Sequence, residues 1–472
     1  MTGHAAAERL VVIGGDAAGM SAASQARRRK SANELSIVAF EQGRTTSYSA
    51  CGIPYWIGGA VEHREQLITR TPEQFRERQD IDVRMQSRVI GIDLGARTVR
   101  AQPLDDEGAP ATDAYDEPFD KLVVATGSVP MRPPVPGIDA AGVYGVQTLD
   151  DGEDLRRELA SGRVRRVVVV GGGYIGLEIA EAATIRGFEV TVVDLSATPI
   201  GTFDPDIGAD IAEAVRGLGI ELVLSDGVAA IEMRDGRACA VHTASGRELP
   251  ADLVVLGLGV RPNVALAADA GIPLGASGGI AVDLRMRTQV EGVYAAGDCV
   301  ESWHRLSGQR MVVALGTHAN KQGRVAGINI GGGYATFPGV IGTAVTKVCD
   351  LEAGRTGLSE QEAREAGFDF VTASVDSTTK AGYFPGARPM RVKMIAERRT
   401  GRLLGAQIVG REGAVKRIDV LATAIWNEMA VVDILSLDLS YAPPFSPVWD
   451  PVLIAARKAF DAVESDIRTA PQ

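Results

Sequence analysis

The sequence predicts an α/β protein with two doubly wound nucleotide-binding domains and a C-terminal α+β domain. Residues 9–43 and 165–194 each read as strand, glycine-rich turn, helix and strand. That order is typical of a Rossmann-like parallel sheet that binds a dinucleotide. After residue 333 the pattern changes to alternating strands followed by helices, which predicts an antiparallel sheet with a helical cover.

Length and charge narrow the class of protein. A chain of 472 residues suggests about three domains of roughly 150 residues each. The formal net charge of -11 provides no positive field, which argues against nucleic acid or an anionic membrane as a partner. No apolar run reaches membrane-spanning length, and the four cysteines lack the spacing of a disulfide framework. We therefore expect a cytoplasmic protein.

The first glycine-rich turn has the sequence "GGDAAG" and spans residues 14–19. Glycine at position 14 permits the tight turn, and Gly19 lets the helix pack on the strand. Asp16 occupies the position of the usual middle glycine, which weakens the match. An acid stands 41 − 19 = 22 residues beyond the last glycine, where a carboxylate accepts ribose hydroxyls. The expected contacts of this unit are Gly14, Gly15, Ala18, Gly19 and Glu41.

The second turn, "GGGYIG", is a complete fingerprint, and its acid lies 194 − 176 = 18 residues beyond the last glycine. An acid at this place favours an unphosphorylated ribose, because a 2′-phosphate would meet a negative charge. We therefore expect NADH rather than NADPH at the second turn. The expected contacts are Gly171, Gly173, Tyr174, Ile175, Gly176 and Asp194.

Two more segments look like strand ends at a nucleotide site, "KLVVATGSVP" at 121–130 and "GVYAAGDCV" at 292–300. Ligands of doubly wound sheets bind beyond the carboxyl ends of the strands. Two sites in one chain imply two nucleotides, and a flavin with a nicotinamide is a pair that one enzyme uses together. The further expected cofactor contacts are Ala125, Thr126, Gly127, Gly259, Gly297, Asp298, Ala314 and Thr317.

This pattern divides the chain into three domains, the first of which is interrupted. We expect residues 1–149 and 272–332 to form the FAD-binding domain, with the NAD(P)H-binding domain at 150–271 inserted between its two parts. Residues 333–472 form the C-terminal domain. The five histidines show no metal-ligand spacing, so we expect no metal.

The set of motifs resembles the pyridine nucleotide-disulfide oxidoreductases over about residues 8–465. Within that family it is similar to the single-cysteine coenzyme A-disulfide reductases, NADH oxidases and persulfide reductases. The resemblance rests on "GGDAAGMSAASQARR", "SYSACGIPYWIGG", "GGGYIGLEIAE", "AAGDC" and "YAPPFSPVWDP". It implies an oxidoreductase that is an FAD flavoprotein, takes hydride from NADH, and forms a homodimer through the C-terminal domain.

The resemblance also implies that Cys51 is the redox-active thiol beside the flavin. The next cysteine along the chain is Cys239, so Cys51 has no partner for a local disulfide. Its oxidised form is then a mixed disulfide with a small thiol, a persulfide or a sulfenic acid. A reactive thiolate needs a depressed pKa, and we expect Ser47 and backbone amides to provide it. The resemblance implies that Tyr441, with Tyr383 as a second candidate, reaches this thiol from the partner subunit.

The resemblance leaves the substrate open. The coenzyme A enzymes hold the nucleotide end of their thiol with Gln and Arg residues that match Gln25 and Arg28. Two positions depart from their pattern: Ala50 replaces an Asn, and Arg78 stands where a Lys is expected. We favour coenzyme A disulfide as the substrate, with a persulfide next and O2 reduction by an NADH oxidase as the alternative. An alternative function of another class is a flavoprotein that senses redox state and does not turn over a substrate.

One further cysteine, Cys299, follows Asp298 at the expected flavin edge. We expect its thiol to be mildly reactive.

Overall fold

A computed structural model of the chain describes residues 7–469. Strands of the first third are β1 (Glu8–Ile13), β2 (Leu35–Phe40), β3 (Ile81–Arg84), β4 (Ser87–Asp93), β5 (Thr98–Pro103), β6 (Tyr115–Pro118), β7 (Lys121–Val124), β8 (Ser128–Pro130) and β9 (Val143–Gly145). Those of the middle are β10 (Arg166–Val170), β11 (Glu189–Asp194), β12 (Glu221–Leu224), β13 (Val228–Arg234), β14 (Arg237–Thr243), β15 (Glu248–Pro250), β16 (Leu253–Leu256) and β17 (Val260–Pro262). The last are β18 (Val293–Ala295), β19 (Glu301–Trp303), β20 (Arg310–Val312), β21 (Ala344–Val348), β22 (Leu351–Gly357), β23 (Phe370–Thr378), β24 (Pro389–Glu397) and β25 (Leu403–Gly410).

The helices alternate with strands in the first two thirds of the chain and cluster at its end. They are α1 (Ala17–Arg27), α2 (Ile53–Gly58), α3 (Pro72–Gln79), α4 (Leu149–Leu159), α5 (Tyr174–Ile185), α6 (Pro205–Gly217), α7 (Ala265–Asp269), α8 (Gly316–Ile330), α9 (Glu360–Glu365), α10 (Ile418–Trp426), α11 (Val431–Leu435) and α12 (Pro451–Thr469). Short 3-10 turns lie at Ala50–Gly52, Arg64–Leu67 and Val415–Arg417.

The first sheet is parallel, with strand order β18-β7-β1-β2-β3. Its central strand buries Leu10, Val11 and Val12 completely. A parallel strand that is covered on both faces reads as a continuous apolar run, which is why "RLVVI" forms the centre of this sheet. The predicted strand, turn, helix and strand of residues 9–43 is therefore present.

A second parallel sheet has the order β12-β11-β10-β16-β9. The "RVVVV" strand occupies its middle, and Val167, Val168 and Val169 are at most 1% exposed. Strand β9 pairs with β16 and so lies on this sheet, a few residues ahead of the boundary proposed at residue 150. The division into three domains otherwise stays a proposal, and its outermost residues, 1–6 and 470–472, lie outside the described part of the chain.

The C-terminal sheet is antiparallel, with the order β21-β22-β25-β24-β23. A hairpin joins β24 to β25 around Thr400 and Gly401, as the sequence predicts, and Gly401 has the left-handed φ of +69° that such a turn requires. Helices α10, α11 and α12 bury one face of the sheet, where Val392, Met394 and Ile408 are inaccessible to solvent.

Within residues 7–469, no helix is long and apolar enough to cross a membrane.

Helices α1 and α8 approach each other closely beside the first sheet. A Cβ at Gly323 would overlap the carbonyl oxygen of Ala18, and one at Gly327 would overlap that of Ala22. Two glycines one turn apart on α8 therefore allow its backbone to touch α1. This contact fixes the position of α8, whose first turn faces the carboxyl ends of the strands of the first sheet.

We expect Gly323→Ala to destabilise the protein by about 2 kcal/mol, because the new methyl forces the two helices apart. Thermal unfolding of the FAD-bound enzyme measures the change. The matched control is Gly217→Ala at the exposed end of α6, where a Cβ meets nothing within 4 Å. That control should be neutral or gain up to about 1 kcal/mol from helix propensity. Equal stability of the two variants would show that the α1 to α8 contact has room for a side chain.

Candidate active site

The predicted flavin contacts gather at the carboxyl edge of the first sheet. Gly14 has a φ of +106°, and a Cβ there would overlap the carbonyl oxygen of Ala125 beyond the neighbouring β7. A Cβ at Gly297, beyond β18, would collide with the side chain of Ala18. The turns after three adjacent strands are thus in direct contact, which leaves a narrow cradle suited to a bound ligand.

Glu41 closes this cradle at the end of β2. Its Oε2 accepts the Gly15 amide at 2.8 Å, and its Oε1 accepts the Gly43 amide at 2.7 Å. Burial raises the pKa of Glu41, and the amide hydrogen bonds oppose that rise. Helix α1 has no side-chain cap at its N-terminus and no acid in its first turn. Its first amides therefore remain directed at the cradle, as a pyrophosphate requires.

The structure explains why Asp16 is tolerated in the glycine-rich turn. Its Oδ1 accepts the Tyr48 amide at 3.3 Å, so the carboxylate points toward the segment that carries Cys51. Burial raises the pKa of Asp16 to about 6. The hydroxyl of Thr46 and the amide of Ser47 both donate to the carbonyl oxygen of Gly15, which joins the same two segments.

The edge of this site contains one residue that sequence reasoning missed. Gln322 on α8 is 2% exposed, and its Oε1 accepts the Gly297 amide at 2.8 Å. Asp298 follows directly, accepts the Ser128 hydroxyl at 3.1 Å, and has its pKa raised by burial. A buried Gln is explained by its hydrogen-bond partners, and these lie far away along the chain. No local sequence pattern therefore indicates it.

The remaining expected flavin contacts lie around this edge. Thr126 donates its hydroxyl to the Asn263 carbonyl at 2.6 Å, which fixes the turn after β7. Ala314 and Thr317 flank the first residue of α8, whose first turn carries no acid. The other two, Gly127 and Gly259, take left-handed φ values of +68° and +82° beside the paired strands β8 and β17.

The second turn repeats the first with a cleaner geometry. Gly171 has a φ of +105°, and a Cβ there would overlap the carbonyl oxygen of Gly257. Asp194 accepts the amides of Gly172 and, at 2.6 Å, of Ser196. A Cβ at Gly173 would meet nothing within 4 Å, so the space in front of α5 is open.

Three more predicted residues of the second site lie on α5, which has no side-chain cap and no acid in its first turn. Gly176 closes the turn, because a Cβ there would overlap the Gly171 carbonyl oxygen. Ile175 is 40% exposed, and the Tyr174 hydroxyl lies 3.2 Å from the Thr202 hydroxyl. The predicted residues are therefore together at the helix N-terminus, and their contacts with a nucleotide remain predictions.

Cys51 lies between the two nucleotide turns. It is exposed and occupies the 3-10 turn that leads into α2. The far end of α2 is held by arginines of the second domain: Arg156 donates to the Trp56 carbonyl at 2.6 Å, and Arg186 donates to the Ile57 carbonyl at 3.2 Å. The thiol segment is thus attached to both nucleotide-binding domains.

The predicted lowering of the Cys51 thiol pKa is wrong, because the net shift in the structure is upward. Desolvation of the thiol by the surrounding protein raises the pKa, and so does the nearby carboxylate of Glu178, which repels a thiolate. A hydrogen bond from the backbone amide lowers the pKa, as expected for the amides, but it does not outweigh these two effects. Among the described residues, Ser47 makes no side-chain hydrogen bond to Cys51. Its backbone has a φ of +50°, and its amide donates to the Gly15 carbonyl oxygen. The sequence does not reveal a carboxylate that is distant along the chain, which is why this repulsion was missed.

Glu178 is the second residue that sequence reasoning overlooked. It lies one turn after Tyr174 on α5, and burial raises its pKa to about 7. The Thr346 hydroxyl donates to its Oε1 at 3.4 Å, which ties it to the C-terminal sheet. Its place four residues beyond Tyr174 puts it on the helix face of a predicted cofactor contact, because residues at that spacing share a face, but no local signal pairs it with Cys51.

Tyr441 and Tyr383 lie together on the surface of the C-terminal domain. Partial desolvation and the neighbouring Tyr383 hydroxyl raise the pKa of Tyr441. Tyr383 is 78% exposed, and the nearby segment exposes Phe445 and Val448 at 75% and 69%. Among the described residues, no hydrogen bond joins either tyrosine to Cys51 of the same chain. An apolar surface of this kind is typical of a protein interface.

The predicted substrate residues lie at one end of α1. Arg27 donates to the carbonyl oxygens of Gln79 and Asp80, which fixes the end of α1 against the end of α3. This contact leaves Arg28 and Arg78 exposed on the two adjacent helix ends. Gln25, which we also expected to bind substrate, is half-buried and packs against α8.

Cys299 does not have the exposure that a reactive thiol needs. It is inaccessible to solvent, and its thiol lies 3.4 Å from the Ala296 carbonyl oxygen. Burial raises its pKa. The expectation of mild reactivity was wrong, because a buried neutral thiol is inert.

The fold and this pair of nucleotide turns define a pyridine nucleotide-disulphide oxidoreductase. The model of that family matches residues 8–323, and its dimerisation domain matches residues 343–451. The chain belongs to this family.

The chain is similar to proteins of named activity over nearly its whole length. It is 40% identical to a CoA-dependent NAD(P)H sulfur oxidoreductase of Pyrococcus abyssi, over 95% of this chain and 97% of that protein. It is 34% identical to an NADH oxidase of Methanocaldococcus jannaschii, over 96% and 98%. The solved structure of an NAD-dependent persulfide reductase from A. fulgidus has 38% identity and a TM-score of 0.92, over 97% of this chain and 84% of that one.

These findings confirm the predicted family, fold class and enzyme class, together with the cofactor pair of FAD and NAD(P)H. The protein is a pyridine nucleotide-dependent disulfide or persulfide oxidoreductase. The roles of single residues remain predictions.

The position of Glu178 predicts the pH dependence of Cys51. A charged carboxylate disfavours a thiolate, so Glu178→Gln should lower the pKa of the thiol and move its alkylation profile to lower pH. At pH 8, iodoacetamide should modify Cys51 about threefold faster in the variant, as peptide mass spectrometry measures. Glu248→Gln, on the exposed strand β15, is the control. An unchanged profile in Glu178→Gln would contradict the inferred repulsion.

Proposed function

We propose that the enzyme passes an electron pair from NADH by way of FAD to Cys51, and so reduces a coenzyme A disulfide or persulfide. The observation that carries the proposal is the position of Cys51, exposed on a segment that both nucleotide-binding domains hold. The other three cysteines are free as well, and Cys51 alone is exposed. A single accessible thiol at this place is suited to mixed-disulfide chemistry.

The residues at the first turn fit FAD. The uncapped first turn of α1 offers amides for the pyrophosphate, and Glu41 keeps lone pairs for the ribose hydroxyls. The Asp194 carboxylate would hold the ribose of NADH in the same way at the second turn. When bound, FAD would supply the transfer of an electron pair from the nicotinamide to a sulfur.

Cys51 would perform the sulfur chemistry in two steps. Its thiolate attacks one sulfur of the substrate, the substrate's S–S bond breaks, and one thiolate or hydrosulfide leaves and takes a proton. The new S–S bond at Cys51 then accepts two electrons and breaks, which releases the second thiol and restores the Cys51 thiolate. For a disulfide, NADH, one proton and RSSR give NAD⁺ and two RSH.

Two features support a coenzyme A thiol as the carrier. Arg28 and Arg78 lie exposed on adjacent helix ends, and guanidinium groups suit phosphate geometry. The Pyrococcus abyssi relative is named as CoA-dependent, and the A. fulgidus enzyme is named as a persulfide reductase. A disulfide and a persulfide of coenzyme A present the same S–S bond on the same phosphate-bearing group.

The active site would be completed in a homodimer. The match to the dimerisation domain covers residues 343–451, and the apolar surface around Tyr441 lies at the end of that segment. Covering this surface with a partner subunit would bring Tyr441, and with it Tyr383, to the partner's Cys51, where a phenol can protonate a leaving thiolate. The free thiols fit a reducing compartment, so we place the enzyme in the cytoplasm.

The preference for NADH can be reversed at the end of β11. We expect the double substitution Asp194→Ala with Leu195→Arg to favour NADPH, because it removes the repelling carboxylate and adds a cation for the 2′-phosphate. Leu195 is 78% exposed, so an arginine fits there. The ratio of kcat/KM for NADH to that for NADPH should fall by at least about 100-fold. An unchanged ratio would show that another residue determines the preference between the two nucleotides.

The sulfur substrate is tested by anaerobic NADH consumption with coenzyme A disulfide and, separately, with coenzyme A persulfide. We expect turnover with at least one of them, and a loss of at least about 100-fold in Cys51→Ser. Cys239→Ser, which changes a half-buried thiol on β14, is the matched control and should keep full activity.

The other outcomes assign other functions. Rapid NADH oxidation only after air is admitted would favour an NADH oxidase, the activity for which the Methanocaldococcus jannaschii relative is named. Reduction of the flavin by NADH without turnover of any oxidant would favour a redox sensor. Either result would contradict the coenzyme A substrate.

A further inference from the structure

A buried lysine joins the C-terminal sheet to the second nucleotide-binding domain. Lys393 on β24 has only 5% of its side chain exposed. Its Nζ lies 3.0 Å from Asp204 Oδ2, 2.7 Å from Asp206 Oδ1 and 2.7 Å from Glu360 Oε1. The aspartates begin α6 of the nucleotide-binding domain, whereas the lysine and the glutamate belong to the C-terminal domain.

Asp204 is the centre of this cluster and is 2% exposed. Gln407, the neighbour of Lys393 across the sheet, donates to Asp204 Oδ2 at 2.8 Å and accepts the Asp204 amide at 2.9 Å. The Glu360 amide donates to Asp204 Oδ1 at 2.9 Å. Both carboxylate oxygens of Asp204 are therefore bound by groups of the C-terminal domain.

Asp204 ends the loop that leads away from Asp194. Midway along that loop, the Ile200 amide donates to the Gly172 carbonyl at 2.8 Å, which joins the loop to the second glycine-rich turn. The Thr202 hydroxyl lies 3.2 Å from the Tyr174 hydroxyl. Arg355 of the C-terminal sheet donates to the Thr202 carbonyl. One side of residues 195–204 thus contacts the nucleotide turn, and the other side contacts the C-terminal domain.

The physical character of the cluster suggests a geometric role. Burying an ion pair costs desolvation that offsets most of the attraction, so such a pair adds little net stability compared with apolar packing. Its hydrogen bonds are directional, however, and they hold the joined groups in one arrangement. A cluster that spans two domains and ends beside a nucleotide turn can therefore set the position of that turn.

We propose that Lys393 is a positioning residue for the nicotinamide nucleotide, acting through Asp204 and residues 195–204 on the turn at 171–173. The proposal rests on the proposed nucleotide site at that turn. It assigns part of the affinity for NADH to the C-terminal domain. Lys393 touches neither the reacting atoms nor Cys51, so its effect is on binding and not on the electron transfer itself.

The test is Lys393→Met in the FAD-bound enzyme. Anaerobic rapid mixing with NADH measures flavin reduction at increasing NADH, which yields the Kd for NADH and the limiting rate separately. We expect the Kd to rise about tenfold and the limiting rate to change by less than about twofold, because a displaced turn weakens binding first. Lys416→Met, which removes an exposed lysine that pairs with Asp419 in the same domain, should change neither value.

Methionine leaves Asp204 without its cation, and the variant can fail to fold for that reason. Glu360→Gln then takes its place, because it keeps the Glu360 amide and the shape of the side chain while it weakens the hold on Lys393. A rise in Kd of about twofold to threefold is expected for Glu360→Gln. A lower Tm with an unchanged Kd in either variant would overturn the proposal, since it would show a purely structural role. If NADH fails to reduce the wild-type flavin, the proposed function itself falls.

Discussion

The structure depends on backbone contacts at the carboxyl edges of two parallel sheets. At Gly14 and at Gly171 a carbonyl oxygen of the adjacent turn lies where a side chain would begin, and both residues take a φ near +105°. Only glycine satisfies both demands. The helix that follows each turn is uncapped, so its first amides are left for an anionic ligand. The rest of the chain is arranged around these two edges.

The thiol segment shows how the two edges are connected. Asp16 and Gly15 hold the segment on the side of the first glycine-rich turn, and arginines of α4 and of the end of α5 hold α2 on the side of the second. This central position has an unfavourable electrostatic effect, because the half-buried Glu178 opposes the Cys51 thiolate. The net effect of the chain's own groups is therefore to raise the pKa of the thiol.

The C-terminal domain has contacts in two directions. One surface exposes Tyr383, Tyr441 and Phe445 and is suited to a second subunit. Other residues of the domain contact the nucleotide-binding domain: Lys393 pairs with Asp204, and Thr346 donates to Glu178. The dimerisation domain is thus also in contact with α5, through Glu178, and with the start of α6, through Asp204. Its buried charges favour one arrangement of the domains, since each charge is satisfied only there.

The sequence by itself determined the two glycine-rich turns, the acids Glu41 and Asp194, the central strands and the family, because these depend on local spacing and on continuous apolar runs. It also predicted the hairpin at Thr400 and Gly401. Only the tertiary structure decided the contacts between residues far apart along the chain. Glu178 beside Cys51, Gln322 on Gly297 and Lys393 on Asp204 are such pairs, and it is folding that brings them together. For the same reason, the sign of the pKa shift of Cys51 and the burial of Cys299 could not be read from the sequence, since both are set by neighbours that no local pattern specifies.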